Sequence, residues 1–435
     1  MPKSFSMPVG THRRVRRLVP GILLASLVVS GAVTAATAPI ADAATTTGSI
    51  DTTFGTNGWV SIAGGSVPGL GTVGDAVSLP NGDILLAGST GLARLLPTGK
   101  PDTSFGSGGS TTVPGAGVGG GVIAVQSNGE IIYATATAPP AGGNDEWEVA
   151  CLTVNGALDP TFGTGGIVTT QPLNPAPTGT FESPNAVLVQ PDGKILVLGD
   201  VENFGGYRGQ GSLFEQAVLR YDPNGTLDTS FGTDGEVLST AFAGGGELGL
   251  DAGGDIFIAP GVGWTNAEAE LSPSGQLDAA VTPAAITAAS GPDLLPSGQF
   301  LVATTIPVGR GESHVQVTRY NPGSTVASTS PLLGWTETAG KDSGTAVGTL
   351  SAGQALILGS HNSGTSYVLA SVTPAGALDP TFGTGGITTF TPPAADLGGF
   401  FPGLALVLPT GKILVIGQAS ASNGSALITL TQFIA

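Results

Sequence analysis

The chain has 435 residues and carries 14 Lys and Arg against 31 Asp and Glu, which gives a formal net charge of −17. This acidity repels nucleic-acid phosphates and anionic lipids, so the composition excludes nucleic acid as an expected partner. The single cysteine excludes an internal disulfide, and a chain of this length buries a large core without one.

The N-terminal 43 residues predict a cleaved secretory signal peptide. A basic start lies between Arg13 and Arg17, the apolar stretch Leu18–Val33 follows, and Ala41-Asp42-Ala43 supplies a small-residue cleavage pattern. The general export route is favoured over the twin-arginine route, because the usual continuation after the arginine pair is missing. No later segment approaches about 18 uninterrupted apolar residues. We therefore expect a secreted, extracellular protein without membrane insertion, in which residues 44–49 form a short linker.

The rest of the chain, residues 50–435, is built from one repeated unit. The string GALDPTFGTGGI stands at Gly156–Ile167 and returns unchanged at Gly376–Ile387. Its Asp-x-Thr/Ser-Phe-Gly core also occurs at Asp51–Gly55, Asp102–Gly106 and Asp228–Gly232. A second marker is a pair of residues that ends in glycine and lies between two apolar runs. Such a pair predicts a tight hairpin turn in which the glycine has a positive φ. The seven pairs end at Gly82, Gly129, Gly193, Gly254, Gly298, Gly353 and Gly411.

Each unit holds four short strand candidates. In the third unit they are Ala186–Gln190, Lys194–Gly199, Gln216–Tyr221 and Glu236–Thr240. The runs are apolar without strict alternation, as expected for sheets covered on both faces, and no window shows a sustained helical period. Seven such units predict an all-β fold, a single seven-bladed β-propeller of four-stranded blades.

The two chain ends predict how the ring closes. Asp51–Ile62 matches Asp159–Thr170, which includes a fourth strand, whereas the seventh unit stops at Ala435 after three strands. A strand supplied from the far terminus would leave no exposed sheet edge. We therefore expect Trp59–Ile62 to pair antiparallel with the strand that ends near Phe433.

At the repeated Asp-x-x-Phe-Gly and Pro-Asp-Gly-Lys features, the chain resembles the delta-60 repeat family of secreted bacterial propeller-like repeats. The resemblance covers nearly all of Ser49–Ala435 and implies an extracellular repeat fold, without a chemistry common to the family. The order of strands and turns within a unit is also similar to a WD40 blade.

The two ends of the predicted ring differ. The hairpin turns and the Asp-x-x-Phe-Gly connections share one end, which we call the turn face. The opposite end, the loop face, collects connections of irregular length, and binding sites concentrate in such loops on a rigid scaffold. The loops are Ala134–Glu146, Gln171–Pro184, Asp200–Ser212, Thr304–Glu312, Thr336–Thr345 and Thr391–Pro402.

Aromatic side chains flank the loop face and are candidates for stacking on sugar rings or on a partner protein. For the tryptophans, packing between blades is an equal alternative. The candidates are Trp147, Tyr207, Trp264, Phe400 and Phe401.

Few residues suit catalysis. His314 and His361 lie in different units without ligand-spaced partners, and Cys151 has no surrounding motif, so we interpret it as a structural thiol. The motif Asp and Phe are predicted to cap a turn and to fill the gap between blades. Arg94 and Arg220 stand eight residues before Asp102 and Asp228, and exposed pairs within one blade are expected there.

One catalytic alternative remains at the mouth of the central channel. Asp75 and Glu247 both precede the hairpin glycine of their unit by seven residues, and the two units lie nearly opposite each other in the ring. Asn185 lies near the equivalent position of its own unit. Carboxylate and amide oxygens suit Ca²⁺. Solvated acids on an acidic surface are the simpler interpretation.

The main hypothesis is a monomeric, secreted binding or scaffold module that uses its loop face for an extracellular protein or carbohydrate. The alternative is a propeller hydrolase or lyase that acts on a carbohydrate or lactone with Ca²⁺ at the channel mouth.

Overall fold

The computed structural model describes most of the chain beyond its N-terminal 46 residues. The described residues are 47–63, 65–137, 146–172, 181–203, 213–240, 245–251, 253–260, 269–278, 293–295, 299–309, 312–321, 325–331, 333, 342–350, 353–361, 366–393, 401–420 and 426–434. Within these ranges every regular element is a β-strand, and no helix is long and apolar enough to cross a membrane.

In the described part of the chain, twenty-seven strands form seven antiparallel sheets, each one blade of a β-propeller. The first strand, β1 (Trp59–Ala63), belongs to the last blade. Blade 1 follows with β2 (Asp75–Ser78), β3 (Ile84–Ala87), β4 (Gly91–Leu95) and β5 (Ser110–Thr112). Blade 2 contains β6 (Ala116–Val125), β7 (Ile131–Thr137), β8 (Trp147–Leu152) and β9 (Ile167–Thr170). Blade 3 contains β10 (Phe181–Val189), β11 (Ile195–Asn203), β12 (Leu213–Tyr221) and β13 (Glu236–Ser239).

The second half of the ring repeats this order. Blade 4 shows β14 (Gly245–Leu250), β15 (Ile256–Pro260) and β16 (Ala269–Leu271), and its expected fourth strand falls outside the described residues. Blade 5 contains β17 (Asp293–Leu294), β18 (Phe300–Gly309), β19 (Glu312–Asn321) and β20 (Thr325–Thr329). Blade 6 contains β21 (Asp342–Thr349), β22 (Ala355–His361), β23 (Ser366–Val372) and β24 (Ile387–Phe390). Blade 7 contains β25 (Phe401–Val407), β26 (Ile413–Ser420) and β27 (Ala426–Phe433), and β1 completes it.

The predicted closure of the ring is confirmed. Strand β1 pairs antiparallel with β27, with Trp59 opposite Thr431 and Ile62 opposite Ile428. The outer edge of β27 is therefore covered by a strand from the other end of the chain, and blade 7 has four strands with β1 outermost. At the inner side, β2 contacts both β6 and β25, so the first strands of neighbouring blades line the ring axis.

Several strands extend further towards the loop face than the sequence pattern predicts. In blade 3, β11 runs to Asn203 and β12 begins at Leu213. Polar side chains keep these strand ends paired, since Asp200 accepts bonds from Asn185 Nδ2 at 2.6 Å and from Gln216 Nε2 at 2.8 Å. The expected loop Thr304–Glu312 is corrected in the same way, because β18 and β19 occupy most of it.

The core lies between the blades, where the motif phenylalanine of one blade packs on a glycine of the next. Phe162 is 1% exposed, and a Cβ added to Gly225 would lie 2.9 Å from its ring. Gly225 also has a φ of 87°, a conformation that favours glycine. Phe105 meets Gly156 of the next blade in the same way. The same contact joins Phe231 to Gly275, whereas Gly376 lies against Ser330 of the preceding blade.

Candidate functional site

The motif aspartates cap the turn that leads into the fourth strand, as predicted. Asp228 Oδ1 accepts bonds from Ser230 N at 3.1 Å and Ser230 Oγ at 2.6 Å, while its Oδ2 accepts a bond from Arg220 Nε at 2.7 Å. Burial raises the pKa of Asp228, but the bonds from Ser230 and Lys194 and the charge of Arg220 outweigh it and hold this pKa well below its usual range. The carboxylate is therefore ionised and structural.

The arginine partners of these aspartates are buried, which corrects the expectation of exposed pairs. Arg94 is 6% exposed, and its Nε donates to Asp102 Oδ2 at 2.7 Å. Its guanidinium lies over the Phe105 ring, with Cζ 4.7 Å from the ring centroid, and Nη1 donates to the carbonyl of Val154 in blade 2 at 2.5 Å. We call this arrangement, an arginine joined to Asp, Phe and the next blade, the arginine clamp.

Blade 3 repeats the clamp with Arg220. Its Nε contacts Asp228, its Cζ lies 4.4 Å from the Phe231 ring centroid, and Nη1 bonds the carbonyl of Pro273 in blade 4. Lys194 adds a second cation, with Nζ 3.0 Å from Asp228 Oδ2. The clamps in blades 1 and 3 thus neutralise a buried carboxylate and tie adjacent blades together.

The strand register identifies what replaces this arginine in other blades. Arg94 and Arg220 each pair with the second residue of the preceding strand in their blade. The backbone carbonyl of each arginine accepts a hydrogen bond from the backbone N–H of the aspartate eight residues later. The same position holds Cys151 in blade 2, Ser371 in blade 6 and Gln432 in blade 7. In blade 7 a lysine substitutes for the arginine, because Lys412 Nζ lies 2.6 Å from Asp51 Oδ2.

Cys151 is buried and free, consistent with its interpretation as a structural thiol. Its sulfur and the carboxylates of Glu130 and Asp159 lie within 4.8 Å of one another. Burial, with both carboxylates, raises the pKa of the Cys151 thiol to about 12, so the thiol is protonated at neutral pH.

A pocket of about 490 Å³ lies on the turn face between blades 6 and 7. Its polar lining is Thr47, Thr349, Gln354, Asp379 and Thr381, and Phe382 lines it as well. Asp379 has the same capping bonds as the other motif aspartates, with Thr381 N at 3.0 Å and Thr381 Oγ1 at 2.6 Å from Oδ1. These bonds lower the pKa of Asp379 below its usual range, so a carboxylate faces this pocket as an anion.

Sequence reasoning missed this pocket. The signal was available in the repeat itself. Ser371 stands eight residues before the motif aspartate Asp379, and the equivalent position in units one and three is Arg94 and Arg220. Comparison of that position across the units would have shown a small residue in place of a cation.

The residues predicted at the channel mouth have mainly structural contacts. Asp75 is fully buried, and its Oδ1 and Oδ2 accept backbone bonds from Ala76 at 2.7 Å and from Ile123 of blade 2 at 2.8 Å. Asn185 is buried and bonds Asp200 within blade 3. Glu247 is half-buried in β14 of blade 4. Among the described residues, the acidic and thiol cluster around Cys151 is the group with metal-ligand spacing, and neither Asp75 nor Glu247 is part of it.

The aromatic candidates at the loop face have different outcomes. Trp147 is 0% exposed in β8 and packs with Phe162 and Val197 in the core between blades 2 and 3, in agreement with the packing alternative. Tyr207, Trp264 and Phe400 lie outside the described residues. Phe401 begins β25, and its side chain lies outside the described part as well.

Glu148 is a buried carboxyl that the sequence did not reveal. It stands opposite Thr135 on the side of blade 2 that faces blade 1, and it is 2% exposed. Its Oε1 has no hydrogen-bond partner, and burial raises the pKa of the carboxyl to about 7. The group is protonated across much of the acidic range, which makes it a pH-dependent element of the blade junction.

Comparisons with known proteins agree with this architecture. Residues 79–105, 126–162 and 190–231 match the family model described as a domain of unknown function (DUF5122) beta-propeller, so the chain contains repeats of a propeller type. A search of curated proteins found no match. The delta-60 resemblance stays a prediction.

The chain is similar at low identity to several solved structures. A protein of unknown function from Dyadobacter fermentans is 13% identical, with a TM-score of 0.39, over 72% of this chain and 94% of that one. A chain of a mitotic checkpoint complex is 11% identical, with a TM-score of 0.42, over 95% and 99%. A putative gluconolactonase is 13% identical, with a TM-score of 0.35, over 88% and 94%. At these scores the likenesses carry no argument about activity.

Proposed function

We propose that the protein is a secreted β-propeller that acts as a binding or scaffold module and uses its loop face to hold an extracellular protein or carbohydrate. The observation that carries the proposal is the contrast between the two faces. The connections on the turn face are uniform and bonded to the next blade, as Gly163 N donates to Asn224 O at 2.8 Å and Gly232 N to Ser274 O at 2.9 Å. That face is used to build the ring.

The loop-face connections vary instead. Three residues separate β3 from β4, whereas nine separate β7 from β8 and nine separate β11 from β12. A rigid ring that presents connections of unequal length is the usual arrangement for recognition, because the scaffold fixes the loop ends while the loops set specificity. The acidic composition favours partners without a dense negative charge.

The enzymatic alternative receives less support from the described residues. Both oxygens of Asp75 accept backbone hydrogen bonds, one of them across a blade junction. A carboxylate held in this way serves the joint between blades 1 and 2. We therefore favour binding over hydrolysis or elimination.

A glycan array and immobilised extracellular proteins test the proposal. The purified protein is compared with the variant Tyr207→Ala/Trp264→Ala/Phe400→Ala on the loop face. The matched control, Val154→Ala/Leu277→Ala, removes two apolar side chains that are 50% and 46% exposed on the turn face. Loss of binding in the first variant alone supports the proposal. Unchanged binding in that variant, or Ca²⁺-dependent turnover of a lactone or polysaccharide that Asp75→Asn abolishes, contradicts it.

Export is part of the same proposal. The intact mass of the protein recovered from the medium of the producing cells tests whether processing removes residues 1–43. A mass that includes these residues would contradict the signal-peptide assignment.

A further inference from the structure

We propose that the pocket between blades 6 and 7 binds a guanidinium group, which takes the place of the arginine side chain that blades 1 and 3 carry themselves. This site lies on the turn face and is independent of the loop-face function proposed above. Its residues are Gln354, Asp379, Thr381 and Phe382.

Blades 1 and 3 show which groups hold a guanidinium in this fold. In both, an aspartate Oδ2 accepts from Nε, a hydroxyl two residues later accepts from Nη2, and the motif phenylalanine lies under the guanidinium plane. For Arg94 these partners are Asp102, Ser104 and Phe105. A planar guanidinium suits this set, because it donates in a fixed fork and stacks on an aromatic ring.

Blade 6 retains each of these groups but lacks the arginine. Asp379, Thr381 and Phe382 stand where Asp102, Ser104 and Phe105 stand in blade 1, and all three line the pocket. Ser371 replaces the arginine. Its short side chain lacks the Cδ carbon and the guanidinium that extend from this position in blades 1 and 3, in agreement with the pocket at this junction.

The charge at this junction is also left unbalanced. Among the described residues, Asp379 bonds Thr381 and the neutral amide of Gln354, whose Nε2 lies 3.0 Å from Asp379 Oδ2, and no Lys or Arg pairs with it. The equivalent aspartates of blades 1, 3 and 7 each contact a cation. A guanidinium would supply the missing positive charge.

One buried polar atom next to Asp379 needs a donor. Gln354 Oε1 is buried without a hydrogen-bond partner, and Gln354 lines the pocket. Buried polar atoms are normally paired, so each unpaired one requires an explanation. A guanidinium has five N–H donors, enough to bond Asp379 and Gln354 Oε1 together.

Isothermal titration with three short peptides tests the proposal. The peptides are identical except for a central arginine, lysine or citrulline, where citrulline keeps the shape of arginine without its charge. We expect the arginine peptide to bind at least about tenfold more tightly than the citrulline peptide, because hydrogen bonds to a charged donor are the stronger ones. Equal affinities for the two would overturn the proposal, as would the absence of heat up to about 10 mM peptide, which is weaker than any useful site.

Three variants locate the site. Ser371→Arg supplies the clamp within the chain, so it should abolish peptide binding and raise the melting temperature, while Ser371→Ala should leave binding unchanged. Asp379→Asn should weaken binding about tenfold or more. Arginine binding that survives in folded Ser371→Arg would overturn the proposal. If that variant does not fold, unchanged affinity in Asp379→Asn does so.

The source of the guanidinium is a separate arm of the same experiment. Agmatine carries the group without a peptide backbone. Affinity for agmatine equal to that for the arginine peptide supports a small-molecule ligand, whereas tighter peptide binding supports an arginine side chain of a partner protein. Loop-face binding on the array should be unchanged in Ser371→Arg, so failure of one proposal is distinguishable from failure of the other.

Discussion

The replacement Glu148→Gln should make the protein more stable at neutral and alkaline pH and remove part of its pH dependence. Glu148 is 2% exposed, its Oε1 has no hydrogen-bond partner, and a Cβ added to Gly115 would lie 2.2 Å from its Oε2. The carboxyl is thus packed against the backbone at the junction of blades 1 and 2. Such a position disfavours the charged form.

The sign and size of the effect follow from the pKa. Burial raises the pKa of Glu148 from 4.5 to about 7, so the folded state holds the proton more tightly than the unfolded state. Burial of Glu148 therefore lowers the stability of the wild type least below pH 4.5, where the carboxyl is protonated in both states. The unfolding free energy falls between pH 4.5 and about 7 and stays at the lower value above that. At about 1.4 kcal/mol per pKa unit, the full loss is about 3 kcal/mol of unfolding free energy.

Melting temperatures of wild type and variant across pH 4 to 8.5 test this expectation. The gap between the two curves should open through the acidic range and reach about 3–6 °C at the alkaline end. The same exchange at the less buried Glu215 is the matched control for replacing a carboxyl group by an amide. Parallel curves for wild type and Glu148→Gln would refute the argument, because they would show that the carboxyl does not change its proton affinity on folding.

Three further predictions concern the blade junctions. Phe162→Ala should lower the free energy of unfolding by about 3–5 kcal/mol in chemical denaturation, because it leaves a cavity where a 1% exposed ring packs on Gly225. The control Val154→Ala, at a 50% exposed position, should change this free energy by no more than about 0.5 kcal/mol. Deletion of residues 51–62 should open the ring at blade 7, which limited proteolysis would detect as rapid cleavage; unaltered resistance would contradict the closure argument. The pKa of Asp228 is held low, so its contribution to stability is present above pH 3.8 and is lost as the pH falls further. The variant Asp228→Asn should therefore lose less stability than wild type on acidification. Equal losses would show that the carboxylate is not stabilised by folding.

The architecture was largely predictable from the sequence, because its signals are local. A hairpin turn such as that at Gly193, with a φ of 87°, requires glycine whatever surrounds it. The Asp-x-x-Phe-Gly turn precedes β1, β5, β9, β13 and β24, and Asp51–Ile62 matches the fourth-strand element that the last unit lacks. Counting these signals gave seven blades and the pairing of Trp59 with the last strand, both confirmed in the structure.

The candidate sites were much less predictable, because they depend on which residues of neighbouring blades meet. Asp75 was a metal ligand only in the enzymatic alternative, and its carboxylate accepts a bond from the backbone of Ile123, 48 residues away. For Trp147 the sequence left stacking at the loop face and packing between blades as equal alternatives, and the side chain is buried. In each case the residue's position along a strand was evident from the sequence, whereas the surface that packs against the side chain was not.

The turn-face pocket shows the same division. The spacing of Ser371 and Asp379 is written in the sequence, as is the absence of an arginine between Tyr367 and Phe382. That Asp379 borders a pocket is a tertiary property, since Thr47, from the start of the fold, and Val407, from the last blade, line it as well. Local turn chemistry therefore determined the repeat and the arginine–aspartate pairs within a blade, while the packing of blade 7 against blade 6 decided that Asp379 faces a pocket.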